Sequence, residues 1–356
     1  MKFGHFCLPT YFPDVDGTVG QFTRRFIDFL VESEAVGFDF LFANEHHFDS
    51  YGGIIPSPPI MLSALAQRTK RLRLGTSIIV LPLHNPIEIA EQIAMIDLMS
   101  DGRVELGVGR GFVAYDYDRL HIPIENAQDR LKDGLAVILK AWSGAPFSHE
   151  GPFYRYDNVE VWPRPQQRPH PPIWLSCGGT PASFEWAGQQ GYKILTVAYR
   201  GVEPLIELNR VYREAWAAAG HARDGYGIAA HYQVVLAEDG REAKRIAEEA
   251  LRRYNGATTH TTTRIRLDSE RTASEVQRRI ADEMLDLDRM VKECRVVAGT
   301  PAEAVDLLTR AQEMMGFTQI DCTFYFGGMP FEHAQRSHRL FAEKVMPKLR
   351  ALGPKS

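Results

Sequence analysis

The chain has 356 residues, 44% hydrophobic and 24% charged, and its 41 lysines and arginines against 45 aspartates and glutamates leave a formal net charge of −4. That balance lacks the basic footprint of a nucleic-acid partner, and no apolar run approaches the roughly 18 residues that a membrane span needs. The opening MKFGHFCLPTYF carries one lysine and is broken by Pro9, so it does not read as a signal peptide. Cys7, Cys177, Cys294 and Cys322 lie far apart with no paired metal spacing, and read as reduced core residues of a cytoplasmic protein.

Short apolar runs alternate with helical patterns along the chain. KFGHFCL (2–8) predicts a strand. Phe22, Phe26, Phe29 and Leu30, spaced by three and four, predict one buried face of a helix that reaches Val36 and is closed by Gly37. FDFLFAN (38–44) predicts the second strand, and PPIMLSALAQRT a helix with prolines in its first turn. LRLGTSIIVLP (72–82) is a third, β-branched strand. Asn85 caps and Pro86 begins a helix to about Ser100, RVELGVG (103–109) is the fourth strand, and residues 126–142 form the next helix. The proline-rich passage from Pro146 to Pro172 is expected to be irregular. Strands at 172–177, 193–198, 226–237 and 320–326 then alternate with helices at 181–190, 203–219, 240–254, 301–315 and 331–349.

Eight strands alternating with helices imply a parallel sheet covered by helices. GVGRGF (107–112) resembles a dinucleotide fingerprint but fails it, because Phe112 stands at the third glycine and the site is mid-chain. The expectation is a single domain, 1–356, of the α/β class: a (β/α)8 TIM barrel with insertions. In that fold chemistry sits where strands end.

The second strand ends in Asn44-Glu45-His46-His47-Phe48. This is either a polar loop with satisfied histidines or an acid–base site at the barrel mouth. A shared metal is disfavoured, because neighbours on an extended chain point to opposite faces. The fourth strand ends in Gly109-Arg110-Gly111, where glycines allow close backbone approach and the arginine can hold an anion. The fifth runs into Cys177-Gly178-Gly179-Thr180-Pro181-Ala182-Ser183, with free amides and hydroxyls at a helix start. That suits a phosphate, although a glycine turn with a threonine N-cap would look the same.

At these residues the chain resembles the bacterial luciferase-like family of flavin-dependent monooxygenases, closest in pattern to the luciferase catalytic (alpha) subunit. MKFGHF, AVGFDFLFANEHHF, GTSIIVLPLHNP, MSDGRVELGVGRGF, SFEWAGQQGY, VAGTPAEAVDLL and FAEKVMP carry the resemblance, in order and over nearly the whole chain. It implies that His46, with His47 beside it, acts in flavin–peroxide chemistry. It places the flavin phosphate on Arg110, Gly179, Thr180 and Ser183, with Gly178 in the same turn, and a non-proline cis peptide between Ser77 and Ile78 under the flavin ring. The family's reactive cysteine falls on Gly109, which implies a wider pocket beside the ring. Val113 replaces a tyrosine and Ala198 a tryptophan, so a long-chain aldehyde substrate is not implied.

The resemblance further implies an enzyme that uses reduced FMN as a diffusible co-substrate, supplied by a separate flavin reductase, and O2 to oxygenate a small apolar organic molecule via a peroxyflavin. Tyr11, Phe112, Tyr115 and Tyr199 are candidates to face that molecule. Two alternatives remain open: a deazaflavin-dependent hydride-transfer oxidoreductase of the same superfamily, and a non-catalytic flavin-binding protein. Helix 86–100 is apolar on two sides, with Ile89, Ile93 and Ile96 on one and Ile87, Ala90, Ala94 and Leu98 on the other. This suggests a homodimer contact. The segment from about 255 to 292 begins ATTHTTTR and continues as a helix with Val276, Ile280, Met284, Leu287 and Val291 on one face. It is either a surface elaboration or a lid over the flavin.

Overall fold

Eight parallel strands close on themselves in the computed structural model, which describes residues 1–222, 225–263 and 286–351. The barrel strands are β1 (Lys2–Cys7), β2 (Phe40–Ala43), β3 (Arg73–Thr76), β5 (Val104–Gly109), β8 (Ile173–Ser176), β9 (Lys193–Val197), β10 (Ile228–Leu236) and β12 (Gln319–Thr323). Each pairs with the next in this order, and β12 pairs back with β1, Gly4 opposite Asp321. Closure removes every free edge, the condition a parallel barrel meets once all eight units are in place. The minor strands are β4 (Ile79–Val80), the antiparallel pair β6 (Phe147–Glu150) and β7 (Arg155–Val159), and β11 (Val297–Gly299) on the upper part of β10.

Local chemistry explains the covering helices. Helix α1 (Pro13–Asp16) leads into α2 (Val19–Ala35), which starts at a capping box between Thr18 and Gln21 and buries Phe22, Phe26, Phe29 and Leu30 against the barrel. Next come α3 (Pro58–Arg68) and α4 (Pro86–Met99), the latter capped by Asn85, whose Oδ1 accepts from the Ile87 amide. The others before residue 264 are α5 (Ala114–Arg119), α6 (Ala127–Ala141), α7 (Pro181–Gln190), α8 (Val202–Ala218) and α9 (Gly240–Thr263). Thr300 and Glu303 form a second capping box at the head of helix Pro301–Met315.

Two layers of core result. Outside the strands, helix faces pack on outward side chains such as Leu41, Leu74 and Leu106. Inside, Phe40, Phe42, Trp174, Leu195 and Ala229 fill the barrel beneath its mouth. Below them the buried Glu105 accepts hydrogen bonds from Arg73 and from the Trp174 indole, with Lys193 3.6 Å away. A charge at that depth needs such partners.

The chain departs from expectation in several places. The third strand is broken after Thr76, where the Ser77–Ile78 peptide is cis, and resumes as β4. The proline-rich passage holds the β6–β7 hairpin, because its prolines lie outside the two strands, with Pro152 in the turn between them. The 240–254 helix runs on to Thr263, so the segment from Asn255 is not a separate insert at its start. Val276, Ile280 and Met284 lie outside the described residues. Leu287 and Val291 belong to a short helix, Leu287–Lys292, capped by Asp286, whose side chain accepts from the Arg289 amide. The last helix passes through a π-helical stretch at Phe341–Val345.

All four cysteines are free and buried. On α4, Ala90 and Ala94 are buried within the chain, so the second apolar face is not the expected one. The exposed apolar side chains are Met95, Leu98 and Met99, with Ile60 on the adjacent α3. Among the described residues no helix is long and apolar enough to cross a membrane.

Candidate active site

A cavity of about 370 Å³ opens at the carboxyl ends of the barrel strands, within the size range of small-ligand pockets. Its lining brings together most of the expected residues: His46, Ser77, Ile78, Arg110, Gly178, Gly179, Thr180 and Ser183 all face it.

One end of the cavity is open. Arg110 leaves β5 at the rim, and the short helix α5 that follows is anchored by Tyr117, whose hydroxyl donates to the Arg110 carbonyl. Opposite, Gly178 and Gly179 stand where an added Cβ would meet nothing within 4 Å, and Gly179 has φ +119°, a conformation glycine adopts without strain. Thr180 occupies the N-cap position of α7 without capping it through its side chain. Its hydroxyl instead pairs with that of Ser183 at 2.9 Å. A guanidinium, two hydroxyls and an unobstructed glycine turn at a helix start are groups that could hold an anion.

The inner end is enclosed. Beyond β2, Asn44, Glu45 and His46 all line the cavity, and His47 does not. His46 lies against Tyr51, ring centroids 4.8 Å apart, and 6.2 Å from Phe112. Burial pulls its pKa down to about 4, so near neutrality it is an uncharged imidazole, able to accept a proton rather than deliver one.

His47 is a different group. It is not part of the lining, and its Nε2 donates to Glu45 Oε1 at 2.9 Å, which raises its pKa above the ordinary value. The expectation that His47 sits beside His46 in the cavity is therefore corrected: adjacent residues at a strand end point apart. Glu45 also accepts from His84 Nε2 at 2.7 Å and from the Val80 amide at 3.1 Å. Burial pushes its carboxyl up, but the bonds from His47 and His84 outweigh this and hold it below the usual range. Glu45, His47 and His84 bring their donor atoms within 4.8 Å of one another, as a metal site would. Their mutual hydrogen bonds already satisfy the carboxylate, and His46 belongs to a separate face.

Asp116 and Asp321, absent from the sequence expectations, also line the cavity. Asp116 is buried on α5 with Oδ1 unpartnered, and burial raises its carboxyl to about 6, tempered by His47. Asp321, on β12, accepts from Gln319 through Oδ1 at 2.7 Å and leaves Oδ2 unpartnered, and burial raises it to about 7. Asp321 had a legible signal, an acidic residue in the apolar run IDCTFYF. Asp116 did not, since AYDYDR reads as a solvated turn.

Three further expectations change. Gly109 does not widen the cavity, because a Cβ there would lie 2.3 Å from Ile78 Cδ1: the isoleucine fills that space. Val113 lines the cavity but Ala198 is buried outside it. Phe112 and Tyr199 face the cavity, whereas Tyr11 donates to the Gly17 carbonyl and Tyr115 packs on Phe48 and Arg119.

The profile of the luciferase-like monooxygenases matches residues 1–319. The oxygenase component of the flavin-dependent trigonelline monooxygenase of Acinetobacter baylyi is 31% identical over 195 residues, 53% of this chain and 53% of the relative. The chain spans about half the length of the curated relatives that it matches at 31–35% identity. The alkanal monooxygenase alpha chain of the Kryptophanaron alfredi symbiont is 24% identical, over 98% of this chain and 99% of the relative. An F420-dependent glucose-6-phosphate dehydrogenase of Amycolatopsis mediterranei is 28% identical, over 93% and 96%. Among solved structures, the monooxygenase RslO1 of Streptomyces bottropensis superposes with a TM-score of 0.87 at 31% identity, covering 98% of this chain and 100% of that one.

Proposed function

Since this chain belongs to the luciferase-like monooxygenase family, we propose that it is the oxygenase of a two-component, FMN-dependent system. Reduced FMN would come from a separate flavin reductase as a diffusible co-substrate, and a small, largely apolar organic molecule would be oxygenated. The observation that carries this reading is the polarity of the cavity, with an open anion cradle at one end and a neutral histidine in an enclosed, mostly apolar end.

The residues present fit a flavin nucleotide. Gly178 and Gly179 leave the space a phosphate needs, and a side chain at either would fill it. Arg110 would pair with the phosphate charge, and the Thr180 and Ser183 hydroxyls would complete its shell. Ser77 and Ile78 would support the ring. Bound reduced FMN supplies two electrons to dioxygen, so that one oxygen atom passes to the organic substrate and the other leaves as water. The protein's part is to hold the reactants, exclude water and manage the proton. Phe6, Ile78, Val80 and Leu195 wall the inner end, which limits loss of oxygen as free peroxide. His46, uncharged, accepts a proton or a hydrogen bond beside the reacting atoms. His47 acts at one remove, held by Glu45 as a positioning residue. The exposed face of Ile60, Met95, Leu98 and Met99 is assigned to a homodimer contact, and the location to the cytoplasm.

The likeness to the F420-dependent dehydrogenase supports a second reading, hydride transfer with a deazaflavin. Rapid mixing of anaerobic protein and reduced FMN with oxygenated buffer separates the two. The oxygenase reading expects protein-bound flavin to reoxidise more slowly than free flavin, with peroxide yield falling when substrate is added. Reoxidation at the free-flavin rate with stoichiometric peroxide, together with tighter binding of F420 than of FMN, would move the conclusion to hydride transfer.

A further inference from the structure

Asn44 is buried to 3% exposure at the end of β2, lines the cavity, and has no hydrogen-bond partner for either Nδ2 or Oδ1. Its surroundings do not supply one. An added Cβ at Gly52 would lie 2.6 Å from His46 Cδ2, 2.8 Å from Asn44 Nδ2 and 2.8 Å from Leu8 Cδ1, so around Gly52 the amide nitrogen shares its space with a ring carbon and a methyl group. The side chain is not needed to fasten the strand end, because the Asn44 backbone N–H already donates to the Cys7 carbonyl at 3.3 Å. A desolvated amide with both functions unpaired is unfavourable. Leucine would fill nearly the same volume without that cost.

The position of Asn44 indicates what its amide faces. Ala43 lies opposite Thr76 in the β2–β3 ladder, which places Asn44 beside Ser77, the first residue of the cis peptide. Asn44 and His46 line the same cavity. A ligand that reaches His46 therefore passes the unpaired amide.

We propose that Asn44 is a ligand-recognition residue: its Nδ2 donates to a carbonyl, and its Oδ1 accepts from the N–H or O–H next to it, as in an amide or imide. The inference rests on the reading of the cavity as a flavin and substrate site. Two sources present this chemistry there, the imide edge of the flavin ring and an amide-like group on the organic substrate.

The test uses the full chain, Asn44→Leu and Asn44→Ala. The free Asn44→Leu protein is expected to melt at or above the wild-type temperature, since it loses an unpaired buried amide. Binding of FMN is then compared with that of N3-methyl-FMN, which lacks the imide hydrogen, by flavin fluorescence. If the flavin is the source, wild type prefers FMN by about tenfold, and both variants bind the two flavins alike. If the substrate is the source, FMN titrations of wild type and variants coincide. Ligand-observed NMR on the FMN-loaded protein then shows a preference for benzamide over isopropylbenzene that Asn44→Leu abolishes.

Unchanged discrimination in both arms overturns the proposal, as does a lower melting temperature for Asn44→Leu with binding intact, the mark of a structural role. If wild type binds no FMN, the flavin reading itself has failed, and the benzamide comparison on the free protein decides the role of Asn44.

Discussion

At the rim of the cavity, Gly178 and Gly179 face open space and the Thr180 and Ser183 hydroxyls satisfy each other. At the inner end, Asn44 and Asp321 are buried with polar atoms that meet no partner. The rim is at ease without a ligand, since water solvates its cation and its backbone. The inner end is not, because each unpaired group there carries a desolvation cost of about 1–3 kcal/mol that only a ligand or an ordered water relieves. On the proposed reading the rim is therefore built for affinity, as a charge site for a phosphate. The interior is built for discrimination, because a wrong ligand leaves its groups unpaired.

If that division holds, substitutions at the two ends should move different observables. The largest effect is expected at His46. Replacing it with alanine should lower coupled oxygenation by roughly 10²–10⁴-fold, the usual contribution of a positioned acid or base, with little change in FMN affinity. An unchanged ratio of product to peroxide would remove the histidine from the chemistry.

Arg110→Ala should show the opposite pattern. Loss of a charge-assisted contact worth about 1.5–3 kcal/mol weakens FMN binding by roughly 10–100-fold, while riboflavin, which has no phosphate, binds as before. Equal losses for both flavins would place the arginine elsewhere than on the phosphate.

Asp116 sharpens the contrast through pH. Its carboxyl titrates at about 6 in the folded chain, above the roughly 3.9 of an unfolded aspartate. Between those values the unfolded state has lost its proton and the folded state has kept it, so folding stability falls as pH rises through that window. Asp116→Asn should accordingly be more stable to unfolding than wild type at pH 7, by about 1–3 kcal/mol, with the gain vanishing near pH 4. A gain that persists at pH 4 would point to packing rather than charge.

The smallest effect on the cavity is expected far from both ends. Leu98→Glu on the exposed face of α4 should convert a dimer to a monomer by analytical ultracentrifugation, with FMN affinity unchanged. A wild-type chain that sediments as a monomer would dispose of that contact.

Local chemistry made much of this architecture readable in advance. Short apolar runs and period-3.6 patterns marked all eight barrel strands and most covering helices, and Asn85 and Thr300 announced their helices through side-chain caps that act within three residues. The rim was legible for the same reason: an arginine between glycines, and Gly-Gly-Thr before a helix, carry their function in a few consecutive residues. The break in the third strand and the hairpin at 147–159 escaped because β-branched runs and prolines outweighed weaker local signals.

What the sequence by itself determined was the barrel and the glycine turn at its rim, since both follow from short-range pattern and backbone freedom. What only the tertiary structure decided was the exclusion of His47 from the cavity that Asn44, Glu45 and His46 line, and the gathering of Asp116 and Asp321 around it. Whether a polar side chain is paired or left unpaired depends on partners far away in the chain. His84 meets Glu45 from 39 residues on, and no partner reaches Asn44. That difference arises only when the barrel closes and water is excluded.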